Sequence, residues 1–69
     1  MRLSTRNQLR GTVTSITEGS VNATVTVDVG GQTVTSSITL AGLAEIEVKE
    51  GDEVVVLVKA SDVMLAVED

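Results

Sequence analysis

A chain of 69 residues is well below the usual length of a domain, so one small fold must carry whatever the protein does. Its apolar fraction is 42% without a single Phe, Tyr or Trp, and its formal charge is -5 with neither His nor Cys. These counts exclude an imidazole base, a thiolate nucleophile, a zinc or haem centre of the common kinds and a redox pair, and they leave no positive field or stacking platform for nucleic acid.

The opening run Met1-Arg2-Leu3-Ser4-Thr5-Arg6 is polar and lacks the apolar stretch of a signal peptide, so a cytoplasmic protein is expected. Leu9 to Ile16 is rich in Thr and β-branched residues, as in a strand, and Glu18-Gly19-Ser20 reads as a turn. From Val21 to Val29, Val and Ala alternate with Asn, Thr and Asp, the mark of a strand with one buried face. Gly30-Gly31 then offers the positive φ values of a tight hairpin, and Val34, Ser36, Ile38 and Leu40 resume the alternation. The result is a meander.

Beyond Leu40 the period changes. Ala41 to Glu47 has the spacing and composition of a short helix, and Glu50-Gly51-Asp52 forms a turn. Glu53 to Lys59 is a strand in which Val54, Val55, Val56, Leu57 and Val58 are apolar on both faces. This stretch is too short to cross a bilayer, so no membrane association is expected. Ala60-Ser61-Asp62 makes a corner before a last strand, Val63 to Val67. The sum is an all-β fold with one short helix, a five-stranded OB-like antiparallel barrel spanning residues 1–69 as a single domain. A core of small aliphatics, with no disulfide or zinc to reinforce it, needs further burial between subunits; a homo-oligomer is expected.

The cations are Arg2, Arg6, Arg10, Lys49 and Lys59. Around two of them stand small hydroxyl residues, in Ser4-Thr5-Arg6-Asn7-Gln8 and in Lys59-Ala60-Ser61. Each cluster combines backbone N–H groups, hydroxyl donors and a fixed positive charge, the combination an inorganic oxyanion requires. The plainer reading is a solvated arm in the first case and a strand end in the second. Glu45, Glu47, Glu50, Asp52 and Glu53 form an acidic run without the ligand order of a calcium loop, so a solvated face is expected there, not a metal site. Gly30-Gly31 is not a phosphate loop, since no Lys-Ser/Thr follows, and no residues pair as nucleophile and base.

Taken in order, Ser4-Thr5-Arg6-Asn7-Gln8-Leu9 with Gly11, Ile38-Thr39-Leu40, Val48-Lys49-Glu50-Gly51 and Lys59-Ala60-Ser61-Asp62-Val63-Met64 resemble the molbindin or Mop-domain family nearly end to end. That resemblance implies binding of molybdate or tungstate at subunit interfaces, for storage or buffering, in a hexamer built as a trimer of dimers. Ser4, Thr5, Arg6, Thr39, Lys59, Ala60 and Ser61 are the implied oxyanion-binding residues, and Gly19 and Ser20 the implied contributors to a second oxyanion site. Thr5 stands where the family usually has Ala, and Gly42 where related sequences often have Ser. No cofactor and no bare metal cation are expected beside the anion.

The physical chemistry agrees. At neutral pH both anions are unprotonated and only accept hydrogen bonds, whereas hydrogen phosphate also needs an acceptor for its proton. The idealised cost of moving even a singly charged ion into a protein interior is of order 20 kcal/mol, so donors must converge from several sides. A different class remains open at this point: a non-catalytic oligomerisation module of OB-like fold with weak or no anion binding, for which Gly42 is the main support.

Overall fold

The computed structural model describes residues 6–69. Four antiparallel strands, β1 (Asn7–Glu18), β2 (Asn22–Val29), β3 (Gln32–Thr39) and β4 (Glu53–Val58), form one sheet in the order β3-β2-β1-β4. A seven-residue helix, α1 (Leu40–Ile46), joins β3 to the second half, and a single 3₁₀ turn covers Ala60–Asp62.

The β2–β3 hairpin has the register Val29↔Gln32, and both loop residues have positive φ, 56° at Gly30 and 89° at Gly31. A two-residue loop with left-handed dihedrals at both positions matches the twist of the strands it joins, and glycine adopts them at least cost. Above the hairpin, Ala23, Val25 and Val27 of β2 face inward and are buried together with Val13 and Leu43. The partners across the hairpin, Val34, Ser36 and Ile38, share that inner face.

β1 is longer than the sequence suggested because it serves two neighbours. Its first half pairs with β4, from Asn7↔Val58 to Thr12↔Glu53, and its second half pairs with β2 through Glu18↔Ala23. Between Val13↔Val27 and Ser15↔Thr26 the register slips by one residue, leaving Thr14 as a β-bulge. Hydroxyls seal the bulge: Thr26 Oγ1 lies 2.8 Å from Thr14 Oγ1 and 2.6 Å from Ser15 Oγ. The slip also exchanges inward for outward positions, so the inner face runs Leu9, Gly11, Val13 and then Ile16. At Gly11 the strands approach so closely that a Cβ would lie 2.5 Å from Asp28 O and 2.6 Å from Val27 Cγ1.

The loop before β4 packs on the bulge. Val13 N–H donates to Asp52 O at 2.9 Å, Gly51 N–H to Val13 O at 2.8 Å, and Ile16 N–H to the Glu50 carboxylate at 3.3 Å. Asp52 Oδ2 in turn accepts from Lys49 N–H at 2.9 Å. Part of the acidic run thus serves backbone donors. Among the described residues no three carboxylate, His or Cys side chains converge as a metal site.

The elements follow the sequence reading as far as β4; the last strand departs from it. Val63 to Val67 is not paired into the sheet, which has four strands among the described residues instead of five. Met64 and Leu65 are each 93% exposed and Val67 91%. After the 3₁₀ turn the chain leaves Val63 extended, at φ -84° and ψ 121°, and does not fold back on β4. The OB-like barrel is therefore left open between its two outer strands, β3 and β4.

Candidate functional site

The sequence-derived donors fall at two ends of the sheet. At one end, β1 begins opposite the finish of β4. Continuing that register by one residue sets Arg6 across from Lys59, and both are exposed. Lys59 is extended and directly precedes the 3₁₀ turn, whose bonds run from Asp62 N–H to Lys59 O at 2.8 Å and from Val63 N–H to Ala60 O at 3.3 Å. The turn consumes no N–H of Ala60 or Ser61, since the first donors of any helical turn have no partner within it. A guanidinium, an ammonium, the Ser61 hydroxyl and two backbone N–H groups thus belong to one corner. Ser4 and Thr5 lie outside the described residues.

The other end is built by β-pairing over a long sequence separation. Thr39, the last residue of β3, lies opposite Asn22, and Leu40 N–H donates to Val21 O at 2.9 Å. The Gly19–Ser20 turn closes beside them, with Gly19 N–H bonded to Asn22 O at 2.8 Å. Thr39 also starts α1: its extended backbone and its Oγ1, which accepts from Gly42 N–H at 3.0 Å, make it the N-cap. A Cβ on Gly42 would stand 3.1 Å from that same Oγ1, so a side chain here would press on the capping hydroxyl. Asn22, an exposed amide directly across from Thr39, belongs to this group and was missed in the sequence. It occupies an ordinary outward position in an alternating strand, and only the register with β3 reveals its neighbour.

Within one chain the two ends do not meet. They lie at opposite ends of β1, separated by roughly 35 Å of strand at about 3.3 Å per residue, in a molecule whose longest extent is 38 Å. By backbone register Arg6 falls at the same end of the sheet as Lys59, Ala60 and Ser61, and Thr39 at the same end as Gly19 and Ser20, while Thr39 and Lys59 fall at opposite ends. A cleft of about 590 Å³ near the hairpin is lined by Arg10, Thr12, Asp28 and Glu53, and its two carboxylates repel a dianion.

A small, partly open β-barrel with cations, hydroxyls and backbone N–H groups at its corners has the build of a binding module. Residues 3–65 match the TOBE domain, and the chain belongs to that family. It is similar over its whole length to the small molybdenum-pterin-binding proteins: it is 48% identical over 69 residues to the probable molybdenum-pterin-binding protein of Haemophilus influenzae, covering 99% of this chain and 100% of the relative. Among solved structures, MopII from Clostridium pasteurianum superposes with a TM-score of 0.89 at 42% identity, covering 96% of this chain and 100% of its own. The cytoplasmic molybdate-binding protein ModG, with molybdate bound, gives 0.92 at 45% identity, covering 99% of this chain and 49% of its own.

Proposed function

We propose that this protein binds molybdate, and tungstate as its close analogue, in sites formed between copies of the chain, and that it acts as a cytoplasmic reservoir for the anion. The observation that carries the reading is the division of the donor set. Lys59, Arg6 and the Ala60–Ser61 backbone stand at one end of the sheet and Thr39 at the other, so a second copy is needed to surround a dianion. The likeness to ModG with molybdate bound supports the choice of ligand. Small hydroxyls and cations suit a bare oxyanion, and with no Phe, Tyr or Trp in the chain there is no aromatic face on which a pterin ring would stack.

Two features support an assembly, for which a trimer of dimers is the arrangement proposed. The outer face of β4 leaves Leu57 45% exposed beside a half-buried Val55, and the C-terminal segment is apolar and bare. In such an assembly Ser4, Thr5, Arg6, Thr39, Lys59, Ala60 and Ser61 line the principal site, and Gly19 and Ser20 contribute to a second. A reservoir must also release its cargo, so affinity on the order of micromolar, about -8 kcal/mol per site, is expected.

Calorimetric titration with molybdate, tungstate, sulfate, phosphate and a free pterin tests the reading. Heat with the first two and little with phosphate is the expected result. No heat with either metal oxyanion would leave an oligomerisation module as the better account.

A further inference from the structure

The end of the sheet that holds Gly19 and Ser20 has donors but no cation close to them in sequence. No hydrogen bond within the described residues uses the N–H of Ser20 or Val21 or the Ser20 hydroxyl, and both residues are exposed. Successive unpartnered N–H groups beside a hydroxyl form the kind of concavity that receives an oxyanion. A dianion taken out of water by neutral donors still needs a positive charge within reach. Arg6 and Lys59 stand at the far end of β1, and Arg10, opposite Val55, is only a few residues nearer. Among the described cations this leaves Lys49.

The fold carries Lys49 to this end. The loop before β4 packs on the second half of β1 through Gly51 N–H to Val13 O and Ile16 N–H to the Glu50 carboxylate, and Lys49 N–H is itself held by Asp52 Oδ2 at 2.9 Å. Between the end of β1 and α1 opens a cleft of about 430 Å³, lined among others by Glu18, Leu40, Leu43, Glu47 and Lys49. Glu18 directly precedes Gly19, and Leu40 is tied to Val21 O by its N–H, so the cleft borders the turn on two sides. Neither the Lys49 ammonium nor the Glu18 carboxylate is engaged in an ion pair with another described residue. Apolar walls from Leu40 and Leu43 focus the field of both. One ammonium against the carboxylates of Glu18 and Glu47 leaves the cleft negative in sum. We infer that Lys49 and Glu18 set the affinity of the second oxyanion site in opposite senses: Lys49 supplies its positive charge, and Glu18 keeps it weak enough to fill after the Arg6–Lys59 corner. This rests on the proposed binding of molybdate and on the place of Gly19 and Ser20 in a second site.

Calorimetric titration with sodium molybdate separates the two classes of site, since Lys59→Ala weakens one step and Ser20→Ala the other. On the step that Ser20→Ala weakens, Glu18→Gln should tighten binding about fivefold and Lys49→Gln should weaken it about as much, in variants whose sedimentation and melting temperature match those of the unaltered protein. The two changes combined should return close to the parent affinity. Both shifts should shrink in about 0.5 M sodium chloride, where the screening length falls to about 4 Å, a response that a merely structural role of either side chain would not give. Shifts of the same sign, or a step that neither change moves, would overturn the roles of Lys49 and Glu18 and leave the second site standing. If no step responds to Ser20→Ala while the Lys59-sensitive step persists, the second site falls and its tuning with it, and the principal site stands. No heat with molybdate in the unaltered protein would reject the ligand itself, and the tuning with it.

Discussion

The meander β1–β3 and the segment from β4 to the C-terminus are built from similar residues and end in opposite conditions. The meander completes itself: its hairpin closes over two residues, its inward Val and Ala side chains meet α1, and its bulge is sealed by its own hydroxyls. The second region is richer in apolar residues yet leaves Leu57, Val63, Met64, Leu65 and Val67 exposed. The difference lies in the number of edges each strand can reach. β2 has a neighbour on both sides within the chain, β4 has one, and the tail has none. A fold this small covers its apolar surface locally in the meander, and in the rest leaves open the surface that the proposed assembly would cover.

Substitutions can sharpen this contrast. The largest effect is expected at Gly11→Val, whose side chain would run into Asp28 O and Val27 Cγ1 where β1 passes from one partner to the other. A loss of about 3 kcal/mol, read from the urea midpoint, is expected from such overpacking, and anion should only partly restore it. A shift within error would mean that the close contact between β1 and β2 is not what holds the meander. Next comes Lys59→Ala, expected to cost about 2 kcal/mol of molybdate binding by calorimetry and to leave the melting temperature without anion unchanged. Full affinity in a correctly assembled variant would exclude Lys59 from the site.

Thr39 belongs to both accounts. Removing its hydroxyl in Thr39→Ala should cost about 1 kcal/mol of stability through the lost N-cap and weaken anion binding as well, while Thr39→Ser should keep the cap. If Thr39→Ala lowers stability alone, Thr39 is a cap and nothing more. The smallest effect is expected at Thr26→Val, which removes the hydroxyl between Thr14 and Ser15 and should cost about 0.5 kcal/mol. A large loss there would make the bulge, and not the apolar inner face, the weak point of the meander.

What was legible in the sequence divides along the same line. Strict alternation from Val21 to Val29 and the Gly30-Gly31 pair act over short range, and the hairpin they imply is the one found. β1 was harder to delimit because Leu9, Gly11 and Val13 are odd-numbered inward positions and Ile16 an even one; the bulge at Thr14 breaks the period, and nothing local announces a bulge. The strand at Val63–Val67 was read from period alone, and in the single chain the segment pairs with neither outer edge of the sheet. For the candidate site, residue type pointed to Lys59-Ala60-Ser61 and Arg6, and the β1–β4 register brings them to one corner. The grouping of Thr39 with Gly19, Ser20 and Asn22 rests on pairing between residues far apart in the chain, which composition and spacing do not encode.

One contact at the start of α1 has a chemical consequence of its own. A threonine hydroxyl has one proton to give, and at Thr39 the oxygen already accepts a backbone N–H 3.0 Å away. Its proton is thereby turned away from the helix. The exposed hydroxyl has its proton to offer outward, and one lone pair still able to accept. A backbone bond that organises one turn of helix thus also sets the direction in which this hydroxyl can donate.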